Sequence, residues 1–325
     1  DILIYYSLLE KRHHILMYNL RGQKGNVSTK SIEGHYGKKE DDLSNRLAYY
    51  FDFYEGVYEQ HQGNYEVALQ MYQSAEKLLD KIPSEIERAD FDFKVAWLYY
   101  RLSHIMLSLS YIRRALHVYK RHKQYERRTA LSYSLIAANL TEIGRYEEAL
   151  ENYRLAEKVL TSEQDDFMLA QLHHNVAILY SFWNKPKESI RHLEKALSHQ
   201  EYYDSDFFFH STYLISRELC VIGEKQRASQ YIEAAYARMK DASHEVFQLK
   251  IGIVHDLYLT HAPQRFQQID EKLRKLEEKN EYHEVKELSQ FAAKYCEKQA
   301  LYEQSVFYLN KSLEADLHMK RMGLI

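Results

Sequence analysis

The stretch Gly144-Arg-Tyr-Glu-Glu-Ala-Leu-Glu-Asn-Tyr-Arg-Leu-Ala156 decides the fold. Its alanines Ala149 and Ala156 are two helical turns apart, so both lie on one face where a neighbouring helix can approach closely. The two tyrosines of the stretch fill the space beside them. Gly144 ends the preceding helix in a left-handed conformation that would cost another residue roughly 1 kcal/mol or more. The stretch therefore predicts a turn and one helix packed tightly against another.

The same pattern recurs along the chain at a nearly constant spacing. The residues that occupy the slot of Ala149 are Ala68, Ser108, Ala149, Ser189, Ala228 and Ser305. Their steps of 40, 41, 40 and 39 residues, with 77 across a gap, imply one further degenerate copy within 246–280. A tetratricopeptide repeat is a pair of helices in about 34 residues, about six fewer than here. We predict an all-α tetratricopeptide-repeat superhelix of about seven helical pairs with a concave face.

Composition and charge exclude several classes of protein. The 325 residues carry 44 Lys and Arg against 47 Asp and Glu, a net charge of −3 that gives no argument for nucleic-acid binding. Cys220 and Cys296 have no metal-binding spacing, which suits buried thiols in a reducing cytoplasm. The sequence has no apolar run of about 18 residues and no signal-peptide pattern, so no membrane segment is predicted.

The N-terminal part of the chain differs from the repeats. Residues 1–21 predict a helix whose apolar face is too wide for a lone surface helix. Residues 22–43 contain four of the ten glycines and predict a flexible linker, and residues 44–325 form the repeat domain. Because the chain does not begin with Met, we expect a further piece before Asp1.

The search for catalytic chemistry is negative. The 17 histidines form no His-Glu-x-x-His pattern, and there is no Cys-x-x-Cys pair. No glycine-rich phosphate loop and no Gly-x-Ser-x-Gly elbow occurs. We therefore predict no catalytic residue within the chain, no metal site and no cofactor.

The concave surface is the best candidate site. The first helix of each pair is expected to line it. The residues predicted to bind a peptide there are Asn175, Glu142, Asn139, His174, Ile178, Phe182 and Arg217. Asn175 offers a donor and an acceptor that can clamp an extended backbone, Glu142 suits an amine or Arg, and Arg217 suits a carboxylate. For any single one of these residues, a solvated or inter-repeat contact is an equally good interpretation.

Several motifs resemble one known family. They are the opening Asp1-Ile-Leu-Ile-Tyr-Tyr-Ser-Leu-Leu-Glu-Lys-Arg-His13, the linker, Tyr54-Glu-Gly-Val-Tyr-Glu59, Glu87-Arg-Ala-Asp-Phe-Asp-Phe-Lys-Val-Ala96 and Leu172-His-His-Asn-Val-Ala-Ile-Leu-Tyr180. In this order they resemble the Rap proteins of Bacillus over essentially the whole chain. The resemblance implies an N-terminal three-helix bundle, of which residues 1–21 are the last helix, followed by a linker and a tetratricopeptide domain.

The resemblance also implies a function. Rap proteins bind response regulators, either promoting their dephosphorylation or sequestering them, and Phr pentapeptides bound on the concave face switch them off. Asn175 matches the family's backbone-clamping asparagine, whereas Glu142 stands where members commonly carry Asp. The partner-binding residues would include Leu3 and Lys11, and Lys11 departs from the Phe of a Glu-Phe-Arg-His motif. The family's catalytic Gln matches the position just before Asp1, so phosphatase activity stays undecided.

Two other functions fit the same residues. One is a peptide-responsive transcription factor whose helix-turn-helix precedes Asp1, and the other is a plain protein-interaction scaffold. An upstream helix-turn-helix would favour the first. Absence of pentapeptide binding would favour the second.

Overall fold

The computed structural model describes residues 42–239, 244–260 and 264–322. The predicted N-terminal helix and nearly all of the predicted linker, with Leu3 and Lys11, lie outside these residues. The repeat domain begins with a helix at Asp42, two residues before the predicted boundary. The described residues contain helices and turns and no β-strand.

The helices follow one another with short connections. In chain order they are α1 (Asp42–Gln62), α2 (Tyr65–Glu76), α3 (Glu85–Arg101), α4 (Ile105–Tyr119), α5 (Glu126–Glu142), α6 (Tyr146–Glu163), α7 (Asp166–Phe182), α8 (Pro186–Leu197), α9 (Gln200–Asp204), α10 (Phe207–Val221), α11 (Lys225–Arg238), α12 (Glu245–Tyr258), α13 (Arg265–Glu278), α14 (Tyr282–Lys298) and α15 (Tyr302–Met322). Two 3₁₀ turns cover Leu79–Lys81 and Lys123–Tyr125. Setting aside the short α9, the helices form seven packed pairs, which confirms the predicted architecture.

The small residue that anchors each copy touches the first helix of its own pair. Where the anchor is serine, its hydroxyl donates to the carbonyl of the residue twelve positions earlier. Ser108 donates to Ala96 at 2.8 Å, and Ser189 donates to Ala177 at 2.9 Å. Ser305 repeats the contact at 3.1 Å. Serine can therefore replace alanine in this slot, because the close approach of the helices supplies an acceptor for its hydroxyl.

The degenerate copy predicted within 246–280 is the pair α12 and α13. Its anchor slot holds Ile269, which is fully buried, and the residue twelve positions earlier is the buried Leu257. Both positions are small in the other pairs. In this pair the burial of large apolar side chains stabilises the packing of the two helices in place of a close contact between small residues.

A left-handed residue ends the first helix in six of the pairs. Glycine supplies it at Gly63, Gly144 and Gly223, with φ between +75° and +86°. The other three turns use residues with side chains in the same conformation, which are Ser103, Asn184 and Ala300. Sequence reasoning identified only the glycine turns, because the pairing of the helices imposes this conformation even on residues that do not prefer it.

The start of α3 combines a local cap with a contact to another helix. The Ser84 hydroxyl accepts a hydrogen bond from the backbone N–H of Glu87 at 3.3 Å. The Glu87 carboxylate accepts a hydrogen bond from the Tyr50 hydroxyl at 2.6 Å. The N-cap predicted by a Ser-x-x-Glu sequence is therefore present, while its Glu ties α3 to α1.

The interior of the superhelix consists of apolar clusters, the three largest of which each span more than one helical pair. Cys220 and Cys296 are buried free thiols in this interior, and burial raises their pKa to about 12 and about 11. Between residues 42 and 322, leaving out 240–243 and 261–263, no helix is long and apolar enough to cross a bilayer.

Gly56 tests the close approach in the first pair. A Cβ at this position would lie 2.8 Å from two ring carbons of the buried Tyr72, so we expect Gly56→Ala to destabilise the protein by about 1–2 kcal/mol through overpacking, despite the better helix propensity of alanine. Urea unfolding measures the change. The matched control is Gly252→Ala, whose Cβ would meet only the flexible end of Lys272. Equal effects of the two substitutions would contradict this account.

Candidate functional site

The candidate site is the groove lined by the first helices of the pairs, α3, α5, α7, α10, α12 and α14. Consecutive helices in this series contact one another along the concave side. We call this surface the groove. Helix α14, the last of the series, contacts α3 and α5 near its beginning. The groove is therefore closed by contacts between its first and last helices.

Ion pairs and hydrogen bonds close the groove. Lys286 on α14 lies 3.7 Å from the Glu142 carboxylate on α5 and 2.9 Å from Asp316 on α15, while its ammonium donates to the Ser103 hydroxyl at 3.4 Å. Nearby, the Arg101 guanidinium on α3 lies 3.5 Å from Glu281. Residues at the two ends of the superhelix are therefore joined by charge.

Three further contacts strengthen the closure at its edge. The backbone carbonyl of Lys320 lies 2.9 Å from Nε2 of His104, and Met322 packs against the apolar cluster formed by α1 to α4. The ring of Tyr100 on α3 lies 6.2 Å from that of His283 on α14. Polar and apolar contacts thus act together between the first and the last pairs.

Arg217 is the centre of a second polar cluster in the groove. Its guanidinium bonds to the Glu287 carboxylate, donates to the Ser181 hydroxyl at 2.6 Å and lies 3.2 Å from Glu218. The side chain is only 6% exposed. A buried cation of this kind is tolerated because each of the three guanidinium nitrogens donates to at least one acceptor. In this conformation Arg217 meets a carboxylate, as predicted for it, but the carboxylate belongs to α14.

Glu142 also has a partner within the chain. Burial raises the pKa of its carboxyl above the ordinary value, and the charge of Lys286 partly offsets that effect. Next to it, burial tends to raise the pKa of Glu284, but Lys250, His283 and Arg101 together hold it well below its usual range. The predicted charge of Glu142 is therefore paired with Lys286, which the sequence did not suggest.

Asn175 differs from these charged residues. It lies half-buried on α7, and its amide has no hydrogen-bond partner among residues 42–239, 244–260 and 264–322. Ile178, one turn later, packs against the largest apolar cluster, and Phe182 is half-buried. Among the described residues, both the donor and the acceptor of the Asn175 amide are therefore unused.

Sequence reasoning missed Lys94 and Trp97 on α3. Lys94 forms no ion pair with any described residue, and burial together with the nearby Arg128 lowers the pKa of its ammonium to about 8. Trp97 is 41% exposed although it is a large apolar residue. The many charges on the same helix gave no signal that Lys94 would lack an ion pair among the described residues or that Trp97 would be exposed.

The groove contains neutral histidines. Nδ1 of His174 lies 2.9 Å from the Ser211 hydroxyl, and desolvation lowers the pKa of His174 to about 3. Desolvation also lowers the pKa of His283 to about 3 and that of the more exposed His210 to about 4. At neutral pH these imidazole rings are uncharged and can pack against apolar groups or form neutral hydrogen bonds.

Asn139 does not line the groove, which corrects one prediction. Its side chain is fully buried between α4 and α5, and its amide donates to the Ser108 hydroxyl at 2.9 Å and to the Leu135 carbonyl at 2.8 Å. Because Ser108 also bonds to Ala96, the three residues tie successive helices together. Asn139 therefore stabilises the repeat packing and is not accessible to a ligand.

The described residues contain no group of three or more His, Cys, Asp or Glu side chains that could hold a metal ion. The chemistry of the groove is that of recognition: fixed charges, one unpaired amide and aromatic walls. The fold and the groove together define a tetratricopeptide-repeat protein with a polar groove.

Comparison with known proteins agrees with the assignment to the tetratricopeptide-repeat class and identifies a family within that class. The tetratricopeptide-repeat family model matches residues 128–201. Regulatory protein RapK of Bacillus subtilis (strain 168) is 34% identical over 325 residues, which cover 99% of this chain and 86% of RapK. Response regulator aspartate phosphatase H of the same organism is 30% identical, over 97% of this chain and 84% of the phosphatase. The chain belongs to the Rap family.

A solved structure shows the same fold. The crystal structure of a Rap protein complexed with competence and sporulation factor superimposes with a TM-score of 0.89, covering 99% of this chain and 88% of that one, at 24% identity. The superhelix is therefore shared with a Rap protein that was crystallised with a bound factor.

Lys286 tests the closure of the groove. We expect Lys286→Ala to destabilise the protein by about 3 kcal/mol, because Glu142 and Asp316 lose a buried counter-charge. Small-angle scattering should show a larger radius of gyration.

The matched control is Lys311→Ala. Lys311 is equally exposed, at 18%, but pairs only with Glu277 of the nearby α13, so the scattering should not change. Identical scattering of the two variants would contradict the closure.

The neutral histidines predict a pH dependence. His283 has a lowered pKa in the folded chain, so only the unfolded chain binds its proton between pH 6.5 and about 3. Above pH 6.5 His283 is neutral in both states and costs no stability. Below pH 6.5 the unfolded chain takes up the proton, so the free energy of unfolding decreases as the pH falls. Urea midpoints should therefore fall between pH 7 and 5, and less steeply in His283→Gln. The control His117→Gln, on the exposed side of α4, should follow the parent curve.

Proposed function

We propose that this protein regulates a response regulator and that a short Phr-type peptide bound in the groove switches it off. The observation that carries the proposal is the groove itself, where the unpaired amide of Asn175 lies among charges held by the chain's own residues. Membership in the Rap family supports it, since relatives include a response regulator aspartate phosphatase and a Rap protein crystallised with competence and sporulation factor. Such a regulator works in the cytoplasm.

The size of the groove suits a pentapeptide. Five extended residues span at most about 17 Å. Neighbouring helices lie about 8–10 Å apart, so a peptide of that length reaches across three inner helices, from α5 through α7 to α10. Asn175 on the middle helix would then hold the peptide backbone near its centre, and Glu142 and Arg217 would lie near its two ends.

The end groups of such a peptide would meet residues that already have partners. An amine at Glu142 would compete with or join Lys286, and a carboxylate at Arg217 would compete with or join Glu287. Both of these partners lie on α14. Peptide binding would therefore change the contacts that close the groove, so affinity for the peptide and the conformation of the superhelix are linked.

The output of this change would reach the N-terminal part of the chain. We propose that residues 1–21 are the last helix of a bundle that binds the response regulator through residues that include Leu3 and Lys11, and that residues 22–43 join it to the repeats. In this scheme a different conformation of the superhelix moves the bundle away from its target. Dephosphorylation and sequestration of the regulator are both compatible with it.

Asn175→Ala tests peptide control. A library of synthetic pentapeptides with free termini is screened by calorimetry, and the tightest binder is carried forward. We expect the variant to lose roughly tenfold or more in affinity, since the backbone of the peptide loses a donor and an acceptor in a half-buried site. The matched control is Asn152→Ala on α6, where the amide bonds only to the Glu148 carbonyl and is exposed.

The regulator assay separates this role from folding. The complete protein is mixed with phosphorylated receiver domains of Bacillus response regulators, and both complex formation and release of phosphate are followed. Asn175→Ala should act on its target as the parent does but should ignore the peptide. Loss of both activities would mean that Asn175 supports the fold. Absence of any pentapeptide binding by the parent would overturn the proposed control and favour a plain scaffold.

A further inference from the structure

Helix α3 places a cation without a counter-charge in the groove. Lys94 lies half-buried on this helix, and its ammonium forms no ion pair with any residue that the structure describes. The cations that close the groove, by contrast, all have a carboxylate as partner, and they are Arg101, Arg217, Lys250 and Lys286. The closure of the groove therefore does not explain Lys94.

The charges nearest to Lys94 do not neutralise it. Asp90, one turn earlier on α3, accepts a hydrogen bond from the Tyr119 hydroxyl at 2.5 Å and lies 3.4 Å from the Arg128 guanidinium on α5. This carboxylate is thus already engaged, and Arg128 adds a second positive charge. Burial and the nearby Arg128 lower the pKa of the Lys94 ammonium to about 8. The charge of Lys94 is therefore unfavourable by itself, and a further carboxylate would offset this.

An exposed indole lies beside this ammonium. Trp97 follows Lys94 by three residues, so the two side chains are neighbours on one face of α3. Its exposed fraction is 41%, and among the large apolar residues exposed in the described part of the chain it alone belongs to the first helix of a pair. Its ring lies 6.3 Å from that of Tyr100, whose ring lies 6.2 Å from that of His283 across the groove. An uncovered indole on a concave surface is a typical contact for a ligand.

The repeat places Lys94 at the same height in the groove as Asn175. Helices α3, α5 and α7 each have 17 residues, and Lys94, Leu135 and Asn175 are each the tenth residue of their helix. Equivalent positions of stacked repeats follow one another along the concave surface. An extended chain that is held at Asn175 and runs toward α3 would therefore pass over Leu135 and approach Lys94. Neighbouring helices are about 8–10 Å apart, a gap that a lysine and a glutamate side chain bridge together.

We propose that Lys94 and Trp97 form an acid subsite of the groove, which binds an acidic side chain of the peptide. The ammonium bonds to the carboxylate of that side chain, and the indole packs against its methylene groups. The inference rests on the proposed function, because it concerns the peptide of the same groove. Since the amine of the peptide is placed at Glu142 on α5, the side toward α3 is the amino-terminal half. The ligand is thereby narrowed to peptides with Glu or Asp in that half.

A scan of the peptide with Glu and Gln tests the acid subsite. Starting from the tightest binder of the pentapeptide screen, each position in turn is synthesised as Glu and as Gln, and calorimetry measures the affinity of both for the complete protein. We expect Glu to bind about tenfold more tightly than Gln at one position of the amino-terminal half, as for a hydrogen bond between charged groups.

Variants of the protein assign this preference to its residues. In Lys94→Met the preference for Glu should vanish. The matched control is Lys158→Met, which removes the same charge from the exposed side of α6 and should keep the preference. Trp97→Ala should weaken the Glu and the Gln peptide alike, by about three- to tenfold, because the indole contacts the part that they share. Equal affinities of Trp97→Ala and the parent would remove the indole from the subsite.

The outcomes separate the acid subsite from the proposed function. If no pentapeptide binds the parent, the proposed function is wrong. If pentapeptides bind but Glu and Gln are equivalent at every position, only the acid subsite is wrong. A preference for Glu that persists in Lys94→Met would also overturn it. If amidation of the peptide's C-terminus, rather than the change from Glu to Gln, removes the dependence on Lys94, the terminal carboxylate and not a side chain binds there.

Thermal unfolding without peptide tests whether Lys94 serves the ligand or the fold. Lys94→Met should be at least as stable as the parent, because the change removes a cation that has no counter-charge among the described residues. A clear loss of stability would mean that a carboxylate of the chain itself pairs with Lys94, and it would overturn the proposal.

Discussion

The close approach of two helices at a small residue is the constraint on which the superhelix depends. In the pairs that carry serine, the hydroxyl reaches the carbonyl twelve residues earlier, a contact possible only when both positions are small. The first pair achieves the same approach with Gly56 against the ring of Tyr72. Because the contact recurs at almost the same spacing, each pair is rotated similarly relative to the last. The concave face follows from this repetition.

Closure of the groove adds a second constraint of a different kind. The repeated contact acts between neighbours in sequence, whereas Lys286 and Arg217 hold α14 against α5 and α10. Buried charges add little net stability compared with apolar packing, but a wrong arrangement leaves them unpaired and costs several kcal/mol. They are therefore better suited to selecting one closed conformation than to holding the chain folded. Selection of one closed conformation would suit a protein whose partner binds only one of its conformations.

Helix α15 contributes to the closure of the groove on one side and exposes large apolar residues on another. Asp316 of α15 binds Lys286 in the closure of the groove, while Leu313 and Leu317 face outward. Helix α15, which takes part in this closure, also carries six of the fourteen large apolar residues that are exposed in the described part of the chain.

The sequence by itself determined the helical pairs, their number and the placement of Asn175 on the first helix of a pair. These features depend on local spacing, which a helix converts directly into a face. Only the tertiary structure decided which polar residues are available. It buried Asn139, paired Arg217 with Glu287, and left Lys94 without an ion pair among the described residues. The reason is that closure joins residues as far apart as 216 positions, and the superhelical path that brings them together leaves no local pattern in the sequence.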